Sequence, residues 1–482
     1  MTYTKKICTY DFFVVPLHAN FVSFMQNIKN IYFLGIGGIG MSALARYFQT
    51  KGYAVEGYDR TPSSLTRELE AEGIRVAYKA DTEHCAELVP DETLVVRTPA
   101  VPEDEPTFVW LREHGFRILK RAEVLGLVTR QERALCVAGT HGKTTTSTIL
   151  AHLLQSSHIG TNAFLGGISN NYNSNLLLNP QSDFVVVEAD EYDRSFHHLT
   201  PYMSVITSVD PDHLDIYGTP DAYREGFEVY AGLVQKALVL KSDAQLSLDK
   251  VKAQVYTYSG EWNGQGTEPD FHAANIRVAD GTITFDLAGK IPVSGCRLGV
   301  PVWVNIENSV AAMAVALLNG VTPDEVRAAL ASYSGVYRRF NIHINTPQLA
   351  FVDDYAHHPT EIEASIRSIR RLYPGRRIIA VFQPHLYTRT RDFADGFRQA
   401  LGLADELVLL PIYPAREKPI PGITSEILGG KVVQKEELAA YVKHMLSISA
   451  APVALISLGA GDIDRLVPVL RDNLLNLVEN NN

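Results

Sequence analysis

Residues 138–146, which read Ala-Gly-Thr-His-Gly-Lys-Thr-Thr-Thr, constrain the fold of this chain more than any other stretch. The apolar residues 134–138 predict a buried strand, and residues 149–154 predict a helix. Backbone N–H groups at the start of a helix, together with the helix dipole, favour a bound phosphate group. The sequence therefore predicts a strand, a glycine-rich phosphate loop and a helix, in that order.

Two side chains in this loop predict nucleotide chemistry. Lys143 is placed to reach the β- and γ-phosphates, and the Thr144 hydroxyl is placed to hold Mg²⁺. Val137 stands where the usual Gly-x4-Gly-Lys-Thr pattern has glycine, and a turn with chance glycines is the alternative. We expect the phosphates to be contacted by Gly139, Thr140, His141, Gly142, Lys143, Thr144 and Thr145.

Composition limits the class of protein. A chain of 482 residues exceeds one hydrophobic core and predicts about three domains. The net charge of −10 argues against a nucleic-acid-binding protein, which normally has a basic surface. The four cysteines have no C-x-x-C spacing, which predicts a reducing compartment without disulfides or a zinc framework. No apolar run approaches the ~20 residues of a membrane span, so we expect a cytoplasmic protein.

The first 27 residues do not fit the domain pattern. Lys5 and Lys6 followed by apolar residues 12–15 weakly resemble a signal peptide, but Asp11 and Pro16 interrupt the apolar region. We expect residues 1–27 to form a loosely ordered extension, with Met25 as an alternative start.

A second glycine-rich loop follows a predicted strand at residues 31–35. Gly35, Gly37 and Gly40 precede a predicted helix, and the next strand ends at Asp59. This is the spacing of the Rossmann fingerprint, which by itself indicates NAD. A lone fingerprint specifies only a phosphate-bearing ligand. Asp59 predicts a contact to a ribose or other hydroxyl, and a solvated strand-end residue is an equally good alternative.

Two further strands of the second domain end in residues that suit metal chemistry. Residues 183–188 predict a strand that ends in Glu188, which follows four apolar residues and should be partly buried. A buried carboxylate needs a partner, which a metal ion would supply. The nearby Asp190, Glu191 and Asp193 also fit a solvated acidic turn. Residues 203–209 predict the next strand, after which His213 should converge on Thr144 and Glu188.

The later part of the chain is less specific. Residues 236–300 predict short antiparallel strands. Asn305 and Asn308 precede a helix at 309–318, where a helix cap is the favoured interpretation and contact with a purine the alternative. Arg338 and Arg339 suit either a phosphate clamp or a solvated linker. The strands predicted at 350–352, 377–382, 406–410 and 453–458 each lead into polar residues, as ligand-binding α/β sheets do.

From about residue 28 to its end, the chain resembles the Mur ligase family. The motifs that carry this resemblance are residues 35–41, 138–145, 188–191, 212–215, 338–340, 353–361, 383–385, 387–390, 413–422 and 459–463. The resemblance implies an α/β fold with three domains. Residues 28–127 would form a Rossmann-like UDP-sugar-binding domain. Residues 128–334 would form a P-loop-type ATP-binding domain with added short antiparallel strands. Residues 335–482 would form a Rossmann-like domain that binds the amino acid.

The resemblance is greatest to the branch that adds L-alanine to the lactyl carboxylate of UDP-N-acetylmuramate through an acyl phosphate. This implies an ATP-dependent ligase of peptidoglycan precursor synthesis that releases UDP-N-acetylmuramoyl-L-alanine, ADP and phosphate. The implied cofactors are ATP and two Mg²⁺ ions, for which Mn²⁺ can substitute. The implied partners are the two small-molecule substrates, without nucleic acid or membrane, and the protein would be a monomer or homodimer.

Residue roles follow from the matching motifs. Beyond the phosphate loop, ATP would be contacted by Asn305, Asn308, Arg339 and Asp354, and metal by Thr144, Glu188 and His213. The UDP-sugar would be contacted by Gly35, Gly37, Gly38, Ile39, Gly40, Met41, Asp59 and Arg121. The amino acid would be contacted by Tyr355, His385 and Arg389. The catalytic residues would be Lys143, His213, His357 and Arg389, with His357 reaching the transferring phosphate when the domains close.

Three positions depart from the family pattern. Val304 stands where relatives usually have histidine before the first asparagine, and Leu386 stands where many have arginine after Gln-Pro-His. The second departure leaves Arg389 to carry more of the alanine carboxylate contact. Residues 226–228 read Gly-Phe-Glu, so we expect no carbamylated lysine where several sister ligases have one.

Four alternatives stay open at this point. The nearest is a ligase that recycles murein tripeptide onto the same sugar, although such ligases lack the run at residues 383–390. A folylpolyglutamate-type ligase would lack the domain at residues 35–40. The third alternative is an NAD-dependent oxidoreductase with an added NTPase module. The fourth is an ATP-gated binding protein without chemistry. Nicotinamide fluorescence and phosphate release, respectively, would distinguish them.

Overall fold

The computed structural model describes residues 25, 27–279, 281–415, 417–449 and 451–479. In it, the chain forms three β-sheets covered by helices. It divides into two compact units, of which the first ends at Leu125 and the second begins at Gly126. The extension predicted for residues 1–27 falls almost wholly outside the described residues.

The first unit contains a five-stranded parallel sheet with strand order β3-β2-β1-β4-β5. The strands are β1 Asn30–Leu34, β2 Ala54–Tyr58, β3 Arg75–Ala77, β4 Thr93–Arg97 and β5 Arg117–Lys120. The helices are Ile39–Thr50, Ser64–Ala71, Thr82–Cys85 and Pro106–Glu113, with a 3₁₀ turn at Pro90–Glu92. The helix Arg121–Gln131 begins in this unit and ends in the second. The strand order reverses between β1 and β4, where open α/β sheets bind ligands. The predicted Rossmann-like layer is therefore confirmed.

The second unit contains a ten-stranded sheet with strand order β15-β14-β13-β12-β11-β10-β6-β9-β7-β8. The strands are β6 Arg133–Ala138, β7 Asn162–Ser169, β8 Ser174–Leu177, β9 Phe184–Glu188, β10 Met203–Ile206, β11 Ala237–Lys241, β12 Gln254–Ser259, β13 Phe271–Ala279, β14 Thr282–Gly289 and β15 Val293–Arg297. The helices are Lys143–Gln155, Leu214–Tyr217, Pro220–Ala231, Trp303–Leu318 and Pro323–Ser332, with a 3₁₀ segment at Tyr192–His198.

The prediction that residues 236–300 form antiparallel strands is wrong for the first part of this region. β11 pairs in parallel with β10, and β12 pairs in parallel with β11. Among the described residues of this region, antiparallel pairs are formed by β13 with β14 and by β14 with β15. The helix Pro220–Ala231 carries the chain from β10 back to β11, and such a crossover produces parallel strands. Four successive residues of β11 are buried, as expected for a strand covered on both faces. The predicted turn residue Asp280 lies outside the described residues.

The last sheet, also in the second unit, has strand order β16-β17-β21-β18-β19-β20 and is antiparallel only at β16. The strands are β16 Asn341–Asn345, β17 Leu349–Asp354, β18 Arg377–Phe382, β19 Glu406–Leu409, β20 Lys431–Val432 and β21 Val453–Leu458. The helices are Pro359–Leu372, Tyr387–Asp392, Ala394–Leu401, Leu438–Ser447 and Val467–Glu479, with 3₁₀ turns at Ser425–Leu428, Lys435–Glu437 and Asp462–Arg465.

A buried pair of helices fixes the start of the phosphate-loop helix. Lys143–Gln155 packs against Trp303–Leu318, and nearly every residue of the second helix from Asn308 to Leu317 is buried. Four alanines on this helix allow a close approach of the two backbones. One apolar cluster contains residues of both helices and extends to buried residues of β17, β18 and β21. The phosphate loop is therefore attached to a rigid core.

Two composition-based expectations can be examined in the structure. Of the cysteines that it describes, Cys85, Cys136 and Cys296 are buried free thiols. Within the described part of the chain, no helix is both long and apolar enough to cross a membrane.

Leu150 tests how much this helix pair stabilises the fold. Its side chain is fully buried in the phosphate-loop helix. We expect Leu150→Ala to reduce the free energy of unfolding by about 2–5 kcal/mol, because it leaves a cavity in a close-packed core. Urea denaturation followed by circular dichroism measures this change. Leu233→Ala is the matched control, since Leu233 is 36% exposed. Equal destabilisation by both variants would contradict the packing argument.

Candidate functional site

The phosphate loop of the second unit joins β6 to the helix Lys143–Gln155. Gly142 precedes the helix with φ of 79°, a conformation that favours glycine. A Cβ atom at this position would lie 2.8 Å from Oδ1 of Asn308. The loop is anchored to the end of β10, because the His141 N–H donates to Oγ of Ser208 at 3.0 Å. Since glycine cannot cap the helix with a side chain, this helix start remains suited to a phosphate group.

Lys143 lies in this loop and its ammonium group is surrounded by acceptors. It donates to the Gly139 carbonyl oxygen at 2.6 Å and to Oε1 of Glu191 at 2.8 Å. The second oxygen of Glu191 is 2.7 Å from the same nitrogen. The Glu191 side chain is only 1% exposed. Burial raises the pKa of Glu191, and the charge of Lys143 opposes the rise.

The structure brings Thr144 and Glu188 together, as the sequence predicts. The Thr144 hydroxyl donates to Oε1 of Glu188 at 3.2 Å. Oε2 of Glu188 is buried and has no hydrogen-bond partner among the described residues. A Cβ atom at Gly166 would lie 2.1 Å from this oxygen, so only glycine leaves room for the carboxylate. Burial raises the pKa of Glu188, opposed by Lys143 and by the Thr144 hydroxyl.

His213 lies on the same side of the sheet but closest to a different carboxylate. Its Nε2 is 3.8 Å from Oε1 of Glu191 and 3.8 Å from Oδ2 of Asp212. The ring makes an edge contact with Tyr192. Among the described residues, no three histidine, cysteine or acidic side chains are close enough together to form a metal site by themselves. The structure therefore places His213 beside Glu191, which the sequence analysis did not pair with it.

A cavity of about 230 Å³ lies beside the phosphate loop. It is lined by His141, Gly142, Thr145, Val300, Val302, Val304, Asn305, Asn308, Tyr333, Gly335, Val336, Arg339, Phe340, Asp354, Ala356, Thr360, Glu361, Ala364 and Ser365. The lining combines an apolar wall with a few polar side chains, as small-molecule sites do. It joins the phosphate loop to residues of the last sheet. All four ATP contacts predicted outside the loop line this cavity.

The two asparagines in the cavity wall belong to the first two turns of Trp303–Leu318. Asn308 donates to Oδ1 of Asn305 at 3.2 Å, and Asn305 donates to the Val300 carbonyl oxygen at 3.2 Å. Val302 occupies the cap position, without a capping side chain. The helix-cap interpretation of the asparagines is therefore wrong, because the helix begins at Trp303. Each amide keeps one N–H beyond these bonds, and contact with a purine stays a prediction.

Asp354 ends β17 at the other side of the cavity. One of its oxygens accepts from the Ser365 hydroxyl, and the other accepts from the Phe340 N–H at 3.3 Å. Burial raises the pKa of Asp354 to about 6, although Ser365 and Arg339 oppose the rise.

The two arginines predicted as a pair have separate environments. Arg338 is buried and donates to the carbonyl oxygen of Gly459 at 2.5 Å. Arg339 lines the cavity, and both guanidinium groups lie 5.2 Å from the Tyr355 ring. A phosphate clamp made by both arginines is therefore excluded in this arrangement, and Arg339 alone faces the cavity.

The residues predicted to meet the amino acid surround a group of histidines. The His357 and His385 rings lie 6.4 Å apart, and His385 stacks on Tyr413. Nδ1 of His357 is 3.1 Å from the Tyr355 carbonyl oxygen, so this nitrogen carries the proton and donates it. Burial lowers the pKa of both histidines, and the positive charge of Arg389 lowers it further.

In the first unit, Asp59 and Arg121 lie against the second glycine-rich loop. Oδ2 of Asp59 accepts from the Gly37 N–H at 2.8 Å, and Oδ1 accepts from the Thr61 N–H at 3.0 Å. A Cβ atom at Gly40 would lie 2.9 Å from the guanidinium of Arg121. Asp59 therefore holds the loop in place, and its contact with a ligand hydroxyl stays a prediction.

Glu191 is the residue of this site that the sequence analysis missed. We interpreted it as one member of a solvated acidic turn, whereas the structure buries it against Lys143. The signal in the sequence was its place in the motif at residues 188–191, three residues after Glu188. Burial arises from residues distant in the chain, among them Tyr217, whose hydroxyl donates to the Glu191 carbonyl oxygen at 2.6 Å.

Comparisons with known proteins agree with this geometry. The Mur ligase family, catalytic domain, matches residues 30–133. The Mur ligase middle domain matches residues 137–316, and the Mur ligase, glutamate ligase domain, matches residues 338–463. In the second unit, the last two matches contain the phosphate loop, the buried glutamates and most of the cavity residues described above. The exceptions are the cavity residues that lie between the two matches, before residue 338.

Two relatives share sequence along nearly their whole lengths. The UDP-N-acetylmuramate–L-alanine ligase of Parabacteroides distasonis is 52% identical over 461 residues, which cover 93% of this chain and 98% of the relative. The enzyme of the same name from Flavobacterium johnsoniae is 44% identical over 463 residues, covering 93% of this chain and 99% of the relative.

Solved structures show the same architecture. The UDP-N-acetylmuramate–alanine ligase of Thermotoga maritima has a TM-score of 0.73 at 26% identity, covering 93% of this chain and 99% of that one. A murein peptide ligase from Psychrobacter arcticus has a TM-score of 0.64 at 21% identity, covering 92% and 98%, and shows the fold alone. With its three sheets, its phosphate loop and three matching family models in order, the chain belongs to the Mur ligase family.

Proposed function

We propose that this chain joins L-alanine to the lactyl carboxylate of UDP-N-acetylmuramate at the expense of ATP, as the names of its relatives indicate. The observation that carries the reaction type is the cavity between the phosphate loop and Asp354. Lys143 and Thr144 directly follow its lining residue Gly142, and Thr144 contacts Glu188. Such an arrangement positions a nucleotide with its phosphates next to the carboxylates of Glu188 and Glu191. The relatives supply the choice of sugar and amino acid.

ATP would lie with its base in the apolar part of the cavity and its phosphates on the loop. Asn305 and Asn308 present amides to the base, while Asp354 accepts hydrogen bonds from hydroxyl groups. Residues Gly139 to Thr145 surround the phosphates through backbone N–H groups and side chains. Arg339, which lines the same cavity, would add positive charge.

Magnesium fits the residues present. The unpartnered Oε2 of Glu188, the Thr144 hydroxyl and the space left by Gly166 form an oxygen-rich position of the kind Mg²⁺ prefers. When bound there, Mg²⁺ would neutralise charge on the β- and γ-phosphates. His213 would be a ligand of a second ion, and Mn²⁺ could replace Mg²⁺ at both positions. Glu191 lies closer to His213 than the sequence suggested.

The chemistry follows from the poor reactivity of a carboxylate toward an amine. A lactyl oxygen takes the γ-phosphoryl group of ATP, which forms an acyl phosphate and releases ADP. The amine of L-alanine then attacks the acyl carbon, the C–O bond to phosphate breaks, and the amide forms. Lys143 stabilises the charge on the phosphates during the first step. Positioning and charge stabilisation supply most of the rate in such transfers.

His357 can accept and donate a proton in the second step. Its lowered pKa keeps the ring neutral near pH 7, and Nδ1 is occupied by the Tyr355 carbonyl oxygen. Nε2 is then free to accept the proton that the attacking amine must lose. The resulting imidazolium can donate a hydrogen bond to the departing phosphate. The alanine would be held by Tyr355, His385 and Arg389. Arg389 would pair with the alanine carboxylate, because position 386 is leucine and not arginine.

The first unit would bind the UDP-sugar on its glycine-rich loop. The diphosphate would meet the helix start after Gly38, near Arg121 and Met41. Ile39, the first residue of this helix, is 40% exposed. We keep the division into domains at residues 28–127, 128–334 and 335–482, a cytoplasmic location, and a monomer or homodimer.

Lys143→Ala tests the ATP site and the reaction together. We expect phosphate release from Mg-ATP only when UDP-N-acetylmuramate and L-alanine are both present, because the amine must capture the acyl phosphate. The variant should lose activity by at least about 100-fold, since one buried cation stabilises the transferring phosphate. A coupled phosphate assay measures both. Lys290→Ala, on a lysine that is 52% exposed, is the matched control.

Two results would redirect the assignment. Release that requires an L-alanine-containing tripeptide in place of L-alanine would make the chain a recycling ligase. Release without dependence on the UDP-sugar would contradict the proposed reaction.

Glu188→Gln tests the metal position. We expect the Mg²⁺ concentration for half-maximal activity to rise at least about tenfold, because an amide is a weaker ligand than a carboxylate for this ion. The assay is phosphate release across a Mg²⁺ titration. Asp193→Asn is the control, since Asp193 belongs to the same acidic segment, is exposed, and has a φ of 48° that asparagine tolerates. An unchanged Mg²⁺ requirement in Glu188→Gln would remove Glu188 from the metal site.

A further inference from the structure

Lys143 has no free hydrogen-bonding capacity in this structure. An ammonium group has three N–H donors. Its nitrogen lies within 2.6–2.8 Å of the Gly139 carbonyl oxygen and both oxygens of Glu191, and 3.3 Å from the Thr140 carbonyl oxygen. A phosphate group that binds Lys143 must therefore displace at least one of these acceptors.

Glu191 is fixed in the position of this competitor. Its backbone carbonyl oxygen accepts from the Tyr217 hydroxyl at 2.6 Å and from the Arg194 N–H at 3.0 Å. The side chain is buried, and Lys143 is its principal charged partner. Of the acceptors around Lys143, Glu191 is also the one with a full negative charge, so it opposes an incoming phosphate most strongly.

We propose that Glu191 is an intramolecular competitor of the nucleotide phosphates for Lys143. The proposal rests on the ATP site proposed above. In the empty site, the carboxylate of Glu191 occupies the cation that the phosphates require. When the nucleotide binds, Lys143 turns toward the phosphates. His213, which lies 3.8 Å from the carboxylate in this structure, is then its neighbouring partner.

This competition affects ADP as well as ATP. ADP must leave after each turnover, and a phosphate loop with an unopposed lysine would hold it tightly. A carboxylate that recaptures Lys143 lowers the cost of emptying the site. Glu191 therefore acts as a positioning residue that works through Lys143, without contact with the reacting atoms.

The test is ADP binding without metal, measured by isothermal titration calorimetry in EDTA. We expect Glu191→Gln to bind ADP about tenfold more tightly than the unaltered chain, a change of about 1.4 kcal/mol. Asp190→Asn is the matched control. It removes one negative charge from the neighbouring residue, whose Oδ1 accepts from the Tyr192 N–H at 3.1 Å and not from Lys143. We expect the control to change ADP affinity by less than about threefold, since it reports only the change in net charge.

A second variant tests the same proposal if Glu191→Gln does not fold. Glu191→Asp keeps the charge but shortens the side chain by one methylene, so we expect ADP affinity between those of the unaltered chain and Glu191→Gln. Thermal melting shows which variants are folded. Weaker or unchanged ADP binding by the folded Glu191 variants would overturn the proposal, as would an equal gain in Asp190→Asn. No ADP binding by the unaltered chain would instead remove the proposed ATP site, and the competition with it.

Discussion

The parallel register of β6, β9 and β10 is the constraint on which the candidate site depends. Val137 of β6 lies opposite Glu188 of β9 on one side and Val205 of β10 on the other. Each strand therefore ends at the same edge of the sheet, and the residues that follow it emerge beside the phosphate loop. A shift of the β9 register by one residue would turn the Glu188 side chain to the opposite face, away from Thr144.

Buried negative charge at this edge exceeds the positive charge beside it. Glu188 and Glu191 bring two carboxylates next to one lysine, and burial alone would push both toward the neutral acid. The direct pair with Lys143 offsets this for Glu191. Glu188 has only the Thr144 hydroxyl and the more distant cations, which leaves one oxygen without a donor. An unpaired buried carboxylate is costly, and it persists in proteins mainly where a cation or ligand completes its environment.

The sequence was sufficient for the features that depend on short segments. Strands such as β6, β9 and β18 were predicted within one or two residues, because apolar runs of this length bounded by glycine or polar residues have few other interpretations. Features that depend on distant residues were not predictable. The buried position of Glu191 depends on Tyr217 and Lys143, and the parallel pairing of β12 depends on which strand lies next to it. The start of Trp303–Leu318 was missed because Trp303 and Val304 carry no capping signal, while Asn305 resembles one.

The linker before β16, residues 335–340, shows how the last sheet can be coupled to the nucleotide cavity. On one side, the Tyr337 N–H donates to the Ile168 carbonyl oxygen at 2.8 Å, and the Asn170 N–H donates to the Gly335 carbonyl oxygen at 2.9 Å. On the other side, Arg338 is bound to Gly459 after β21. Arg339, which directly follows these attachments, lines the cavity.

Arg338 and Phe340 also have positive φ angles of 60° and 53°, which non-glycine residues adopt only when their surroundings hold them there. The linker is therefore a fixed part of both sheets. A movement of the last sheet relative to the central one would shift Arg339 and change the charge that lines the cavity.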